Sequence, residues 1–269
     1  MDEFVPFETI EGDRSKGLLI VCDHARSDLP REYGTLGLAY DQLKRHIAYD
    51  IGARWVTQNL AEMLGVPAVL STYSRLLIDP NRGEDDPTLV MRISDGALID
   101  GNARIGPAEV EWRRARFYEP YHLAVADELR AIEHAAGIEA AMILSIHSFT
   151  ESWRGAWRPW EIAILWDSDP RLPDLLIHEL RKGETLTIGD NEPYDGALLN
   201  DCMYRHGTSM GRSHALVEIR QDLIADEAGA SRWAGVLERA MKPLMERNDL
   251  KVRRIYPSRA VAETDALLT

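Results

Sequence analysis

The sequence has few cysteines and no long hydrophobic run, and both deficits restrict the class of protein that it encodes. Cys22 and Cys202 are the only two cysteines. Neither belongs to a Cys-x-x-Cys pair, so we do not expect a thiolate zinc site, and two reduced thiols are typical of a cytosolic protein. No apolar run approaches the roughly 20 residues of a membrane-spanning helix. Residues 1–4 are acidic and lack the apolar core of a signal peptide. We therefore expect a cytoplasmic protein with no membrane partner.

Positive charge is also scarce. The 31 lysines and arginines are outnumbered by 44 aspartates and glutamates, which gives a formal net charge of -13. An acidic surface repels phosphate backbones, so we do not expect nucleic acid as a partner. Hydrophobic residues make up 45% of the chain, which is enough for a sizeable core. The length fits one large α/β domain or two small ones, and the absence of a repeat or long linker favours a single domain over residues 1–269.

Short apolar runs alternate with segments of helical periodicity. The runs predict strands at residues 17–22, 66–71, 76–79, 141–146, 162–166 and 214–219. The periodicity predicts helices at residues 41–64, 107–136 (kinked at Pro120), 171–182, 198–206 and 231–248. Residues 79–106 are rich in Asp, Asn, Gly and Pro and indicate a long loop. This alternation predicts an α/β fold with a central, mostly parallel or mixed sheet that is flanked by helices.

Ionisable side chains collect where four of the predicted strands end. In open α/β sheets, functional groups gather at the carboxyl ends of strands. The groups are Asp23-His24, Asp79-Asn81-Arg82, His147-Ser148 and Glu218-Arg220. Four such strand ends are more than chance placement usually gives, so we expect the functional site there.

Two of these strand ends present a histidine. A single histidine in such a position is more often a hydrogen-bonded structural residue, but His24 and His147 follow strands that could be neighbours. Imidazole is a favoured zinc donor, and a catalytic zinc keeps three protein ligands and one open position. The third ligand is expected to be a carboxylate. The residues alone leave four candidates, which are Asp23, Asp28, Asp50 and Glu218.

The positions of these candidates differ. Asp23 adjoins His24, but successive strand residues point to opposite faces of a sheet. Asp28 lies four residues after His24. Asp50 could be an exposed helical acid, although its apolar neighbours Ile47 and Ile51 place it near the buried face.

Glu218 and two arginines suggest further roles. An acid in the middle of an apolar strand is costly to bury without a partner or a task, and a general base fits Glu218. The alternative is a buried ion pair with an arginine, such as Arg220. Arg75 and Arg82 lie on either side of a predicted strand, and an arginine fork is well shaped to hold a carboxylate. Their alternative is pairing with a nearby aspartate, Asp79 or Asp85.

Six short segments together resemble the N-formylglutamate amidohydrolase family. They extend in order from about His24 to Asp222, and they are specific as a set although each is short. The segments are Cys22-Asp23-His24-Ala25, His46-Ile47-Ala48-Tyr49-Asp50-Ile51-Gly52-Ala53, Tyr73-Ser74-Arg75-Leu76-Leu77-Ile78-Asp79-Pro80-Asn81-Arg82, Pro120-Tyr121-His122, Ile146-His147-Ser148-Phe149 and Val217-Glu218-Ile219-Arg220-Gln221-Asp222. Asn191-Glu192-Pro193-Tyr194 and Trp157-Arg158-Pro159-Trp160 resemble the predicted-amidohydrolase branch of that family.

The same motifs look like a distant version of the zinc carboxypeptidases. Ser27 stands where those enzymes have a glutamate ligand, so their third ligand does not carry over to this chain. Asp50 matches an acid of the amidohydrolase pattern and is the expected ligand, with Asp28 as the reserve. The site implied by the resemblance comprises the zinc ligands His24, Asp50 and His147, the general base Glu218, and the substrate-binding residues Arg75, Asn81 and Arg82.

The resemblance implies zinc-dependent hydrolysis of the amide bond of an N-acylated amino acid, such as N-formylglutamate. A carboxypeptidase or another N-acyl amino-acid deacylase on the same scaffold is an alternative. A non-catalytic binding protein that retains the fold is another, although the chain keeps the histidines and the glutamate that such a protein could lose. Trp157, Arg158 and Trp160 could line the pocket, and their alternative role is packing.

Overall fold

In the computed structural model, which describes residues 4–183 and 185–261, a seven-stranded mixed sheet lies at the centre of the fold. The strands are β1 (Phe7–Ile10), β2 (Leu18–Cys22), β3 (Ala68–Ser71), β4 (Ile93–Ser94), β5 (Ala97–Leu98), β6 (Met142–Phe149), β7 (Ser152–Trp153), β8 (Ala156–Trp157), β9 (Ile162–Leu165), β10 (Ile188–Asp190) and β11 (His214–Arg220). The α-helices are α1 (Ala53–Leu64), α2 (Asp100–Ala103), α3 (Pro107–Arg113), α4 (Glu119–Ala136), α5 (Arg171–Gly183), α6 (Cys202–His206) and α7 (Glu227–Met245). The ends of the predicted single domain, residues 1–3 and 262–269, lie outside the described residues.

The middle of the sheet is parallel and fully buried. The strand order is β1-β3-β2-β6-β11-β9-β10, while β4-β5 and β7-β8 form separate antiparallel pairs. Strands β3, β2, β6 and β11 are parallel to one another, and β1 and β9 join them in antiparallel pairing. Every residue of β2, β6 and β11 is buried, as is typical of parallel strands covered on both faces. The predicted α/β fold class is confirmed.

Helices cover both faces of the sheet. Helices α1, α5 and α7 pack on one face, and α4 and α6 pack on the other. Alternation along the strands decides which side chains each layer receives. Leu18 and Ile20 face α1, whereas Leu19 and Val21 face α4. None of the helices within the described ranges is long and apolar enough to cross a membrane.

One predicted helix is too long, and one predicted strand is absent. The helix expected at residues 41–64 is limited to α1, and a short 3-10 turn (Gln42–Lys44) precedes it. Gly52, the residue before α1, has φ of 81°, and this left-handed conformation prevents the helix from extending towards the N-terminus. The strand expected at residues 76–79 is a turn, in which the Leu77 amide donates to the Ser74 carbonyl at 2.9 Å. Its apolar side chains pack against loop residues and against Phe117 and Tyr118 of the helical segment before α4, and a short apolar run cannot distinguish that arrangement from a strand.

The boundaries of several other elements differ between the prediction and the structure. The expected loop at residues 79–106 contains the β4-β5 pair and α2. The helix expected at residues 198–206 shortens to α6, because Asp201 caps its start by accepting from the Tyr204 amide at 2.6 Å. The predicted irregularity at Pro120 takes the form of a π-helical segment (Arg114–Tyr118) between α3 and α4. Strand β6 continues to Phe149, so His147 lies within the strand rather than after it. Strands β1 and β10 were not predicted.

We expect Gly52→Ala to destabilise the fold more than Gly137→Ala. Both glycines have positive φ at the end of a helix, but a Cβ at Gly52 would meet the Ile224 carbonyl oxygen at 2.0 Å, whereas a Cβ at Gly137 meets nothing within 4 Å. The backbone penalty alone is about 1–2 kcal/mol, which is the expected loss for Gly137→Ala. The clash should add about 1–3 kcal/mol at Gly52. Urea unfolding measures both variants, and equal losses would contradict this explanation of where α1 begins.

Candidate active site

The seven site residues expected from the sequence line one cavity of about 460 Å³. They are His24, Asp50, Arg75, Asn81, Arg82, His147 and Glu218. His24 lies just beyond the end of β2, while His147 and Glu218 lie near the carboxyl ends of β6 and β11. These three strands are neighbours in the parallel part of the sheet. The cavity therefore occupies the position where ligands bind in open α/β sheets.

His24, Asp50 and His147 form the most compact cluster in the cavity. One potential ligand atom from each lies within 4.8 Å of the others, and all three side chains are buried. His147 Nδ1 is 2.8 Å from Asp50 Oδ2, and His24 Nδ1 is 3.4 Å from Asp50 Oδ1. His24 Nδ1 is buried without a hydrogen-bond partner among the described residues. Two imidazoles and one carboxylate are a common zinc-binding set, so these donors fit a zinc ion.

The opposite nitrogens of the two rings are held by other aspartates. His24 Nε2 is 2.7 Å from Asp79 Oδ1, and His147 Nε2 is 3.0 Å from Asp23 Oδ2. Since a carboxylate only accepts, each Nε2 carries a hydrogen. His147 Nδ1 also donates to Asp50 Oδ2, and the hydrogen bonds to Asp23 and Asp50 outweigh burial and hold the pKa of His147 well above its ordinary value. Carboxylates that orient metal-binding histidines in this way are typical of zinc sites. His24 Nδ1 is therefore free to accept an ion beside Asp50, and His147 Nδ1 would join it by giving up its proton, as metal binding requires.

The two supporting aspartates have their own partners. Asp79 Oδ2 accepts from Arg75 Nε at 3.0 Å and from Arg75 Nη2 at 2.7 Å. Asp23 accepts from the Tyr121 hydroxyl at 2.8 Å and from the Ser145 hydroxyl at 3.0 Å. These bonds tie the histidine orientation to α4 and to β6.

Burial and the histidines have opposite effects on the cluster's carboxylates. Burial alone would raise the pKa of Asp50, but its electrostatic interaction with His24 and its hydrogen bond to His147 lower it below its ordinary value. The pKa of Asp23 is also lowered, because its hydrogen bond to His147 outweighs its burial. Both groups are therefore carboxylates at neutral pH, which is the form that binds a metal.

Glu218 faces the same cavity from the next strand. It pairs in register with His147 across β11 and β6, and its side chain is 8% exposed. Burial raises its pKa to about 7, and Glu218 Oε2 has no hydrogen-bond partner in the described part of the chain. The alternative ion pair with Arg220 is not formed, because Arg220 Nε instead donates to Asp222 at 2.7 Å. A carboxyl group with this pKa can both accept and return a proton near neutral pH.

The two arginines differ in their contacts. Arg75 forms the ion pair with Asp79 described above, which the sequence analysis gave as the alternative to binding a substrate carboxylate. Arg82 donates to the Asn81 carbonyl at 2.8 Å and to the Thr88 hydroxyl at 3.2 Å, while its nearest carboxylate, Asp86, is 4.0 Å away. Arg82 therefore keeps most of its charge available to a ligand in the cavity.

The wall of the cavity includes the aromatic residues Phe149, Trp153 and Tyr194. Arg158 lies behind this wall, with its guanidinium 4.9 Å from the centre of the Tyr194 ring. Trp157, Arg158 and Trp160 are not among the lining residues, and the Trp157 side chain is 60% exposed. The structure therefore favours a packing role for Arg158.

The other two aspartates considered as ligands lie outside the cluster. Asp28, the reserve ligand, is 58% exposed and lies near Arg26, away from the histidines. Asp23 was disfavoured by strand alternation, but β2 ends at Cys22, and the chain turns there so that Asp23 and His24 both contact the cluster. A signal was available only for Asp23, because an acid beside a predicted metal-binding histidine is a candidate for orienting a ring, although Asp23 contacts His147 rather than its neighbour His24.

The comparisons with known proteins agree with this geometry. The family model of N-formylglutamate amidohydrolase matches residues 16–225. Gene product Atu2144 from Agrobacterium tumefaciens is 33% identical, with a TM-score of 0.80 over 90% of this chain and 96% of that chain. N-formylglutamate amidohydrolase from Ralstonia eutropha JMP134 is 21% identical and shares the fold, with a TM-score of 0.69 over 90% of this chain and 98% of that chain. No curated protein matches the chain. Since the family model spans most of the sequence, the chain belongs to the N-formylglutamate amidohydrolase family and is an amidohydrolase.

Proposed function

We propose that this enzyme is a zinc-dependent hydrolase of N-acylated amino acids, with N-formylglutamate as the substrate that its family and its Ralstonia relative suggest. The observation that most supports this proposal is the cluster of His24, Asp50 and His147 beside Glu218 in one cavity. We further propose that residues 1–269 act as a single amidohydrolase domain.

In this proposal His24 and His147 bind the ion through Nδ1, and Asp50 binds it through a carboxylate oxygen. Asp79 and Asp23 keep the two rings turned towards the ion through their contacts with Nε2. When bound, zinc would supply Lewis-acid activation of a water molecule and of the amide carbonyl. Glu218 accepts a proton from the attacking water, whose oxygen bonds to the amide carbon. Glu218 then returns the proton to the leaving nitrogen as the carbon–nitrogen bond breaks, giving formate and the free amino acid.

Substrate orientation depends on the other side of the cavity. Arg82 binds a substrate carboxylate, because its guanidinium has only neutral oxygens at hydrogen-bond distance. Asn81 adjoins it, and its side-chain oxygen accepts from the Cys202 amide at 3.2 Å. Arg75 Nη1 lies 3.6 Å from Asp50 Oδ1, so Arg75 can contribute positive charge near the substrate as well as holding Asp79.

A hydrolysis panel on zinc-reconstituted protein tests the proposed substrate class. The panel compares N-formylglutamate, N-acetylglutamate, an N-formyl amino acid with an apolar side chain, and a peptide with a C-terminal glutamate. We expect the formylated compounds to react fastest. Preferential cleavage of the peptide would instead favour the carboxypeptidase-like alternative.

The first prediction for the site concerns zinc content. His24→Ala, Asp50→Ala and His147→Ala should each lose one equivalent of zinc, because each removes a ligand of the same ion. Elemental analysis of the zinc-loaded proteins measures this loss. Asp28→Ala is the matched control, since this acid is exposed and outside the cluster. Unchanged zinc in the three ligand variants would rule out the assignment.

The second prediction separates the base from the ligands. Glu218→Gln should keep the zinc and the fold but reduce turnover by about 10²–10⁴, because the amide has nearly the same volume yet cannot accept the proton. Steady-state kinetics and zinc analysis on the same sample provide both readings. Loss of zinc would make Glu218 a ligand, and full activity would leave it with a structural role.

The third prediction concerns Arg82. Arg82→Ala should weaken kcat/KM for N-formylglutamate by about 10- to 150-fold, the equivalent of a charged hydrogen bond worth about 1.5–3 kcal/mol. The control is the substrate with its α-carboxylate replaced by an amide, for which the variant and the parent should differ little. Equal losses on both substrates would show that Arg82 does not bind the α-carboxylate.

A further inference from the structure

A second group of potential metal donors lies on the α4 side of the sheet, outside the proposed catalytic cluster. It consists of His122 from α4 and of Cys202 and His206 from α6. One donor atom from each lies within 4.8 Å of the others, and all three residues are buried. Cys202 and His206 are four residues apart on one helix, so their side chains lie on the same face.

The two imidazoles already have a separation close to that of two ligands on one ion. His122 Nδ1 and His206 Nε2 are 3.0 Å apart and share one hydrogen in a hydrogen bond. An ion would take the place of that hydrogen, which moves to the other nitrogen of its ring. Zinc–nitrogen bonds of about 2.0–2.1 Å in tetrahedral geometry place neighbouring nitrogens about 3.3 Å apart, so a small shift would admit an ion. His122 Nε2, on the other side of its ring, is buried and makes no well-aligned hydrogen bond within the described ranges. The ring does interact with the Pro80 backbone oxygen, and a carbonyl contact of this kind can orient a metal-binding histidine.

The protonation states also suit metal binding. Burial lowers the pKa of His206 to about 4 and holds the pKa of His122 well below its ordinary value, with a further contribution from the positive charge of Arg205. Both rings are therefore neutral at physiological pH, as a metal ligand requires. Burial raises the pKa of the Cys202 thiol, so a cation beside the sulfur is needed to form the thiolate.

We propose that His122, Cys202 and His206 bind a second ion, for which Zn²⁺ is the best match. Two imidazoles and a thiolate are donors that zinc accepts and that magnesium and calcium do not. The sequence alone does not indicate this site, because the donors belong to no Cys-x-x-Cys pair and come together only when α6 packs on α4.

This ion has a structural role next to the catalytic cavity. Cys202 follows Asp201, which lines the cavity, and the Cys202 amide donates to the Asn81 side chain. Fixing α6 to α4 therefore fixes the part of the cavity wall that carries Asn81. Binding replaces the thiol proton of Cys202, which is released to solvent.

Titration of the metal-free full chain with Co²⁺ tests this inference independently of the proposed function. Thiolate ligation gives Co²⁺ a sulfur-to-metal charge-transfer band in the near ultraviolet, and the catalytic cluster has no sulfur donor. We expect two equivalents to bind and the band to develop with one of them. His24→Ala should lose one equivalent and keep the band. A single equivalent without the band in the parent protein would overturn the inference.

The two cysteines provide a matched pair of variants, since both are free and fully buried. Cys202→Ser should remove the band and one equivalent of Co²⁺, whereas Cys22→Ser should retain both. If Cys202→Ser fails to fold, X-ray absorption of the zinc-loaded parent protein still decides the question. A zinc–sulfur distance of about 2.3 Å supports the site, and scattering from nitrogen and oxygen alone contradicts it.

Discussion

The proposed catalytic cavity depends on keeping the Asp50 carboxylate buried between two imidazoles. A buried carboxylate without partners is costly, and here His24 and His147 compensate for the loss of water. The Ser148 amide also donates to Asp50 Oδ2 at 3.2 Å, which connects the carboxylate to β6. Each imidazole is held in turn by a second carboxylate, so removal of one member leaves others buried without their partners. The fold supplies the rigid elements that prevent this network from rearranging.

Much of the site could be predicted from the sequence because parallel sheets make their strand ends converge. The apolar runs before His24 and around His147 and Glu218 marked three buried strands, and these strands are neighbours in the structure. The register of β6 and β11 then determines how Glu218 and His147 are placed relative to each other. Glu218 is directly opposite His147, and alternation directs both side chains to the face covered by α4.

What the sequence did not reveal depends on contacts between residues far apart in the chain. Asp50 was interpreted as part of a long helix, whereas it lies in the turn before α1, where Gly52 adopts a positive φ against Ile224. The contacts of Asp23 with Tyr121 and of Asp79 with His24 require the packing of separate elements. The run at residues 76–79 is apolar because it packs against loops and the helical segment before α4, rather than because it joins the sheet. A local run of apolar residues indicates that a segment is buried, but it does not identify the elements that pack against it.

In the proposed site, one zinc ion binds to Nδ1 of both histidines and to the carboxylate of Asp50. Anomalous diffraction at the zinc edge, from crystals of the zinc-loaded protein, tests it most directly. The account predicts a peak about 2.0–2.2 Å from His24 Nδ1, His147 Nδ1 and an Asp50 oxygen, with both Nε2 atoms still on their aspartates. Absence of a peak at this position, or a peak bound through Nε2 of either ring, would contradict it.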